Sequence, residues 1–148
     1  MKLMKNLLIL SLTFVMFITT ACEDDEATVS KPENATISGV VTFTGTYPDT
    51  GSVMLTLDTA YPPQGAPVGF KMIAQSDLDN GSYVYSFSEL AFGDFAALTV
   101  TYWPNGYSTA SMDYTLLGSY PNPLIPPVSS FTLDEDNAEM IIDIDADF

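Results

Sequence analysis

Phe95-Ala96-Ala97-Leu98-Thr99-Val100-Thr101-Tyr102-Trp103-Pro104-Asn105-Gly106-Tyr107 is the stretch that decides the fold class. Ala97, Thr99 and Thr101 alternate with Leu98, Val100 and Tyr102. A period of two predicts a strand, and Pro104-Asn105-Gly106 ends it with turn chemistry. The same period recurs outward in both directions. Ile37, Gly39, Val41 and Phe43 share one face of a first run. Val53, Leu55 and Leu57 share one face of a second, with Ser52, Met54 and Thr56 opposite. Val68 to Ala74 is a third run, and Tyr83, Tyr85 and Phe87 mark a fourth. Beyond the quoted stretch, Met112, Tyr114 and Leu116 suggest another. Ile142, Ile144, Ala146 and Phe148 give the last, with Asp143, Asp145 and Asp147 on its other face.

The breaks between runs are turn signals. Tyr47-Pro48-Asp49-Thr50-Gly51 and Asp79-Asn80-Gly81 read as tight connections, the second because Asn-Gly accepts positive φ. Tyr61 to Pro67 and Tyr120 to Pro127 are Pro-rich, which blocks both helix and central strand. No run has a helical period long enough to bury a stripe. The expectation is an all-β chain, a single antiparallel β-sandwich of about seven strands.

Composition narrows the chemistry. The 148 residues hold 4 Lys+Arg, 19 Asp+Glu and no His, for a formal net charge of −15. One Cys excludes an internal disulfide and a multi-thiolate metal site. Without His there is no Ser-His-Asp or Cys-His catalysis and no imidazole ligand. The acidic balance argues against nucleic acid as a partner.

The first residues read as an address. Lys2 and Lys5 precede the apolar run Leu7 to Ile18, about 18 Å long as a helix against a hydrocarbon core of about 30 Å. That is a signal peptide rather than a span. Thr19-Thr20-Ala21-Cys22 resembles the lipobox of bacterial lipoproteins, which implies lipidation of Cys22 and membrane attachment through it. Glu23-Asp24-Asp25-Glu26 follows and reads as a solvated tether. Two roles fit these acids: an export signal to the outer face of the outer membrane, or a spacer. The expected organisation is a signal peptide over 1–21, an acidic tether over 22–35 and a β-sandwich over 36–148. Loss of the signal leaves Lys31 and Lys71 against all 19 acids.

Asp79-Asn80-Gly81-Ser82-Tyr83-Val84-Tyr85-Ser86-Phe87 followed by Glu89-Leu90-Ala91-Phe92-Gly93-Asp94-Phe95 resembles the "G-x-Y-x-F" and "L-P-x-G-x-Y" pattern of carboxypeptidase regulatory-like domains. These belong to the transthyretin-like (prealbumin-like) sandwich group. Ile37-Ser38-Gly39-Val40-Val41 is similar to that group's first strand, "I-x-G-x-V". Ala91 stands where the pattern has Pro, and Phe95 where it has Tyr. The resemblance implies a transthyretin-like sandwich and a non-catalytic accessory module, and it carries over no catalytic or ligand residue.

Three groups of residues are candidates for chemistry. Trp103, Tyr102 and Tyr107 cluster at a strand end, and Tyr61 and Tyr120 sit on Pro-stiffened loops. Such rings suit stacking on a sugar or docking of a peptide, or they cap the sandwich. Asp77 and Asp79, with Asp134 and Asp136, are weak calcium candidates; neither loop has the full ligand spacing, and exposed turns are the default. Asp143, Asp145 and Asp147 repeat about 7 Å apart on a strand face, within the range of an inverting glycosidase but equally the spacing of any solvated face.

The reading is therefore a non-catalytic, lipid-anchored module of the cell envelope that contacts a protein or a glycan at the outer membrane, with no cofactor. The alternative is a small carbohydrate- or cation-binding lipoprotein of a nutrient uptake system. An enzyme working with carboxylates alone is the third.

Overall fold

Alternating runs become strands because period two presents one apolar face to a core. The computed structural model describes residues 30–107, 113–124 and 129–148, and the signal, Cys22 and most of the expected tether lie outside them. Within Lys31–Phe148, one compact unit, come β1 (Ala35–Thr44), β2 (Ser52–Asp58), β3 (Gly69–Ile73), β4 (Ser82–Leu90) and β5 (Gly93–Phe95). They are followed by β6 (Ala97–Trp103), β7 (Thr115–Tyr120), β8 (Phe131–Leu133), β9 (Glu139–Ile141) and β10 (Ile144–Asp147). β1 begins at Ala35, inside the expected tether. One helical turn, Gln75–Asp77, interrupts the strands among the described residues.

The chain is an all-β sandwich. In one sheet β1 is central, antiparallel to β4 and parallel on its other edge to β9 and then β10. The other sheet runs β3-β2-β6-β7 and is antiparallel throughout. A short β5-β8 ladder stands apart. The parallel pairs depart from a purely antiparallel sandwich. The extra strands are β5, β8 and β9, three residues each: β8 and β9 lie outside the expected runs, and β5 takes only Phe95 from one. Ala96 turns its N–H to the Asp58 carbonyl, separating β5 from β6. Ile142 and Asp143 likewise separate β9 from β10. Met112, expected to open the β7 run, lies outside the described residues.

The core forms where the two sheets face. Ile37 and Val41 of β1 and Tyr85 and Phe87 of β4 join Leu55 and Leu57 of β2 and Leu98 and Val100 of β6 in one cluster. Each fully buried aliphatic side chain contributes about 1.5–3 kcal/mol. Phe148 stacks on Phe43 with ring centroids 5.2 Å apart and meets Tyr47 edge-on.

The passage from β9 to β10 requires Gly39. A Cβ on Gly39 would lie 1.9 Å from the Ile142 carbonyl oxygen. That carbonyl accepts the buried Tyr85 hydroxyl. The Ile142 N–H donates to Ser38 O at 2.8 Å. Asp143 Oδ1 then accepts the Val40 N–H at 2.9 Å, so a side chain replaces a ladder carbonyl at the crossover. Gly118 plays a similar part on β7: its missing Cβ leaves room for the Asp145 carbonyl of β10.

Gly39→Ala should lower the unfolding free energy by roughly 3 kcal/mol, because the clash is with backbone and cannot be relieved by a rotamer change. Gly65→Ala, where a Cβ meets open space, should cost less than about 0.5 kcal/mol. Urea midpoints of the two variants check the contrast.

Candidate functional site

β2 and β6 are buried on both faces, and the second buried face is not part of the core. On that outer face stand Met54, Thr56 and Asp58 of β2 and Ala97, Thr99, Thr101 and Trp103 of β6. Asp58 is 5% exposed, Thr99 2% and Trp103 9%. The β2–β3 loop, together with Tyr107 and Tyr114, encloses Thr56, Asp58, Thr99, Thr101 and Trp103 around a cavity of about 430 Å³. That volume falls within the range of small-molecule pockets. A second cavity of about 260 Å³ lies under the same loop and also reaches Asp58.

Local chemistry places the walls. The Gly106 N–H donates to Trp103 O at 3.1 Å, closing the turn through Pro104-Asn105. Gly106 has φ +80°, which favours glycine, and Tyr107 returns against Trp103. Their centroids are 5.2 Å apart with planes at 82°. Tyr114, just before β7, lies 4.9 Å from Trp103 at 36°. Tyr61 precedes a cis proline at the start of the loop. The loop's other end is closed by the Val68 N–H donating to Leu57 O at 2.8 Å.

The floor is a chain of hydroxyls that ends on a carboxylate. Thr56 Oγ1 donates to Asp58 Oδ2 at 2.9 Å and lies 2.9 Å from Thr99 Oγ1. Trp103 Nε1 donates to Thr101 Oγ1 at 3.0 Å. Burial pushes the Asp58 carboxyl above its ordinary value, and the Thr56 hydrogen bond pulls it back in part. The Tyr61 phenol is pushed up to about 12, first by burial, then by its hydrogen bond and charge interaction with Tyr114 and by the Asp58 charge.

The structure brings Trp103, Tyr107 and Tyr61 to one cavity. Tyr102, expected beside Trp103 and Tyr107, and Tyr120, expected on a separate loop, do not line it. Period two turns Tyr102 to the opposite face, where it packs against the core and donates to Thr50 O at 3.2 Å. Tyr120 stands against Phe131, centroids 5.8 Å apart. Asp58, Tyr114 and the threonine floor are site residues that motif reading passes over. Their signal is positional: Thr56, Asp58, Thr99 and Thr101 all fall on the Trp103 face.

Most of the acidic candidates accept hydrogen bonds from neighbouring backbone or side-chain groups. Asp77 Oδ2 accepts the Ala74 N–H at 2.9 Å. Asp79 Oδ1 accepts Asn80 Nδ2 at 2.9 Å. Asp134 Oδ1 accepts the Asp136 and Asn137 N–H groups at 3.0 and 2.8 Å, an Asx turn. The Asp136 carboxylate lies on the exposed side of that turn. Asp147 Oδ1 accepts the Thr44 hydroxyl at 2.6 Å. Among the described residues no three His, Cys, Asp or Glu side chains converge as a metal site.

No protein-family profile, curated protein or solved structure matches this chain. The arrangement of the pocket therefore carries the functional argument.

Trp103 is the only Trp, and its emission should be blue-shifted and weakly quenched by acrylamide. Asp58 holds its proton more tightly in the folded chain than in the unfolded one. Its contribution to stability is fully present below the ordinary carboxylate pKa and is lost as pH rises through the raised folded value. Asp58→Asn keeps an acceptor for Thr56 and should melt above the parent at pH 7. The gain should shrink as pH falls toward 4, in thermal melts run across that range.

Proposed function

We propose that this chain is a non-catalytic binding module of the cell envelope, anchored through a lipid on Cys22, that captures a small ligand or the terminal unit of a larger one in the pocket on the β2/β6 outer face. One observation carries the reading: a sheet face with a polar floor is walled by aromatic rings around open volume instead of being packed shut. A concave, mostly apolar site with a few convergent polar groups is the usual form of a small-molecule pocket. Asp58 supports the same view. A buried carboxylate that lowers stability is a feature retained for function more readily than for folding. Among the described residues it is the one carboxylate lining the pocket, which speaks against two-carboxylate hydrolysis.

A second reading, contact with an envelope protein, is favoured by β3. It is an edge strand, and Phe70 and Met72 are exposed on it. Phe70 pairs with Thr56 across the ladder, so this apolar shelf adjoins the pocket. The transthyretin-like architecture and the outer-membrane address belong to the same proposal and rest on the sequence patterns.

Titration of Trp103 fluorescence with monosaccharides, amino acids and small amines should give a saturable change for at least one class. Tyr107→Ala, which removes a half-exposed ring, should weaken it by about tenfold. A flat response to every class, with no thermal shift, would overturn the pocket reading. Incorporation of labelled palmitate should be abolished by Cys22→Ser.

A further inference from the structure

Resting on the pocket reading, the class of ligand follows from how charge and hydrogen-bond donors are distributed around the cavity. We infer that the pocket takes an organic cation, a quaternary or protonated amine, held between its aromatic walls and the carboxylate of Asp58.

The first observation is an unbalanced charge. Among the described residues Asp58 is the only carboxylate lining the cavity, and no described Lys or Arg lines it. The described lysines are engaged elsewhere. Lys31 pairs with Glu135 at 2.6 Å, and Lys71 lies 5.7 Å over the Phe87 ring. A carboxylate 5% exposed without a cationic partner is costly to keep ionised. A cation entering the cavity supplies that partner.

The second observation is that the floor's donors, apart from the Thr101 hydroxyl, are spent. Thr56 gives its hydroxyl proton to Asp58 Oδ2. In the 2.9 Å contact between Thr56 and Thr99, Thr99 must therefore be the donor. The Trp103 N–H is taken by Thr101. The proton order runs Thr99 to Thr56 to Asp58, so both hydroxyl protons are committed along the floor and neither is left for a guest. A sugar ring needs donors as well as acceptors from its site, and this floor offers mainly acceptors. A guest that brings positive charge or N–H donors fits it.

The third observation is the rings. Trp103 and Tyr107 meet at 82°, and Tyr114 and Tyr61 line the same cavity. Aromatic faces carry the negative end of the ring quadrupole, and several rings around one volume with a nearby carboxylate is the arrangement that recognises alkylated ammonium groups. A net charge of −15 draws cations toward the protein and repels anions.

The test compares choline with 3,3-dimethylbutan-1-ol, which has the same shape with carbon in place of the charged nitrogen, and with glucose. Each is titrated calorimetrically into the full chain in detergent. Choline should bind at least about tenfold more tightly than the neutral alcohol. Asp58→Asn should remove that preference while its melting temperature shows an intact fold. Tyr107→Leu, at a ring 45% exposed, should weaken choline binding without affecting folding. Equal binding of choline and the neutral alcohol, or binding of glucose alone, would overturn the cation inference and leave the pocket reading standing. Failure of all three probes to bind would also overturn the cation inference, and the pocket reading then stands or falls on the wider panel of monosaccharides, amino acids and small amines.

Discussion

The sandwich depends on β1 being paired along both edges, and that pairing depends on a backbone approach only glycine permits. On one edge β4 supplies an antiparallel ladder from Thr42 back to Ala35. On the other, β9 and β10 run parallel in succession. The change of partner strand occurs over Gly39, where the Ile142 carbonyl occupies the space of a side chain. Tyr85, Ser38 and Val40 then satisfy the groups that the interrupted ladder leaves over. Buried polar groups at such a break must find partners, and here each partner comes from an adjoining strand of the same sheet.

With β1 fixed, the core-facing residues of β2 and β6 have a rigid opposing layer, and their other face is free to carry the pocket. β2 and β6 are the inner strands of their sheet, flanked by β3 and β7. Side chains on their outer face are therefore held by neighbours on both sides. Trp103, Thr101, Thr99, Thr56 and Asp58 owe their geometry to strand register, and the loops supply the rings that close over them. A site floored by strands and roofed by loops is preorganised where its charge sits and adjustable where a ligand must enter.

The strands are legible in the sequence because one-sided burial writes itself as alternation, as in Val53, Leu55 and Leu57. The three-residue strands β5, β8 and β9 are not legible, because three residues are too few to show a period. Ala96 and Asp143 are unremarkable residues whose backbone or side chain finds a partner far along the chain. The Trp103–Tyr107 wall is legible, since Pro104-Asn105-Gly106 between the two rings forces the chain back on itself. Placing Tyr102 with them conflicts with the same period of two that identifies the strand. Thr99, Thr101 and Asp58 carry no signal of burial, because polar residues on alternate strand positions normally form a solvated face. Only the path of the β2–β3 loop makes that face an interior, and a Pro-rich loop carries no statement of which surface it crosses.

The contact between Thr44 and Asp147 joins residues 103 apart in sequence. Contacts of that reach give a β-sandwich a high contact order and folding in milliseconds to seconds rather than microseconds. Until the distant segment arrives, β1 has an open edge, a template for pairing with the wrong chain. The segment that must find it carries Asp143, Asp145 and Asp147 on alternate positions. Two such segments meeting edge to edge would oppose like charges, whereas β1 offers Thr44 and the Val40 N–H as partners. Charge along this segment therefore opposes pairing between two copies of it and leaves the pairing with β1, which the Val40 N–H and the Thr44 hydroxyl satisfy.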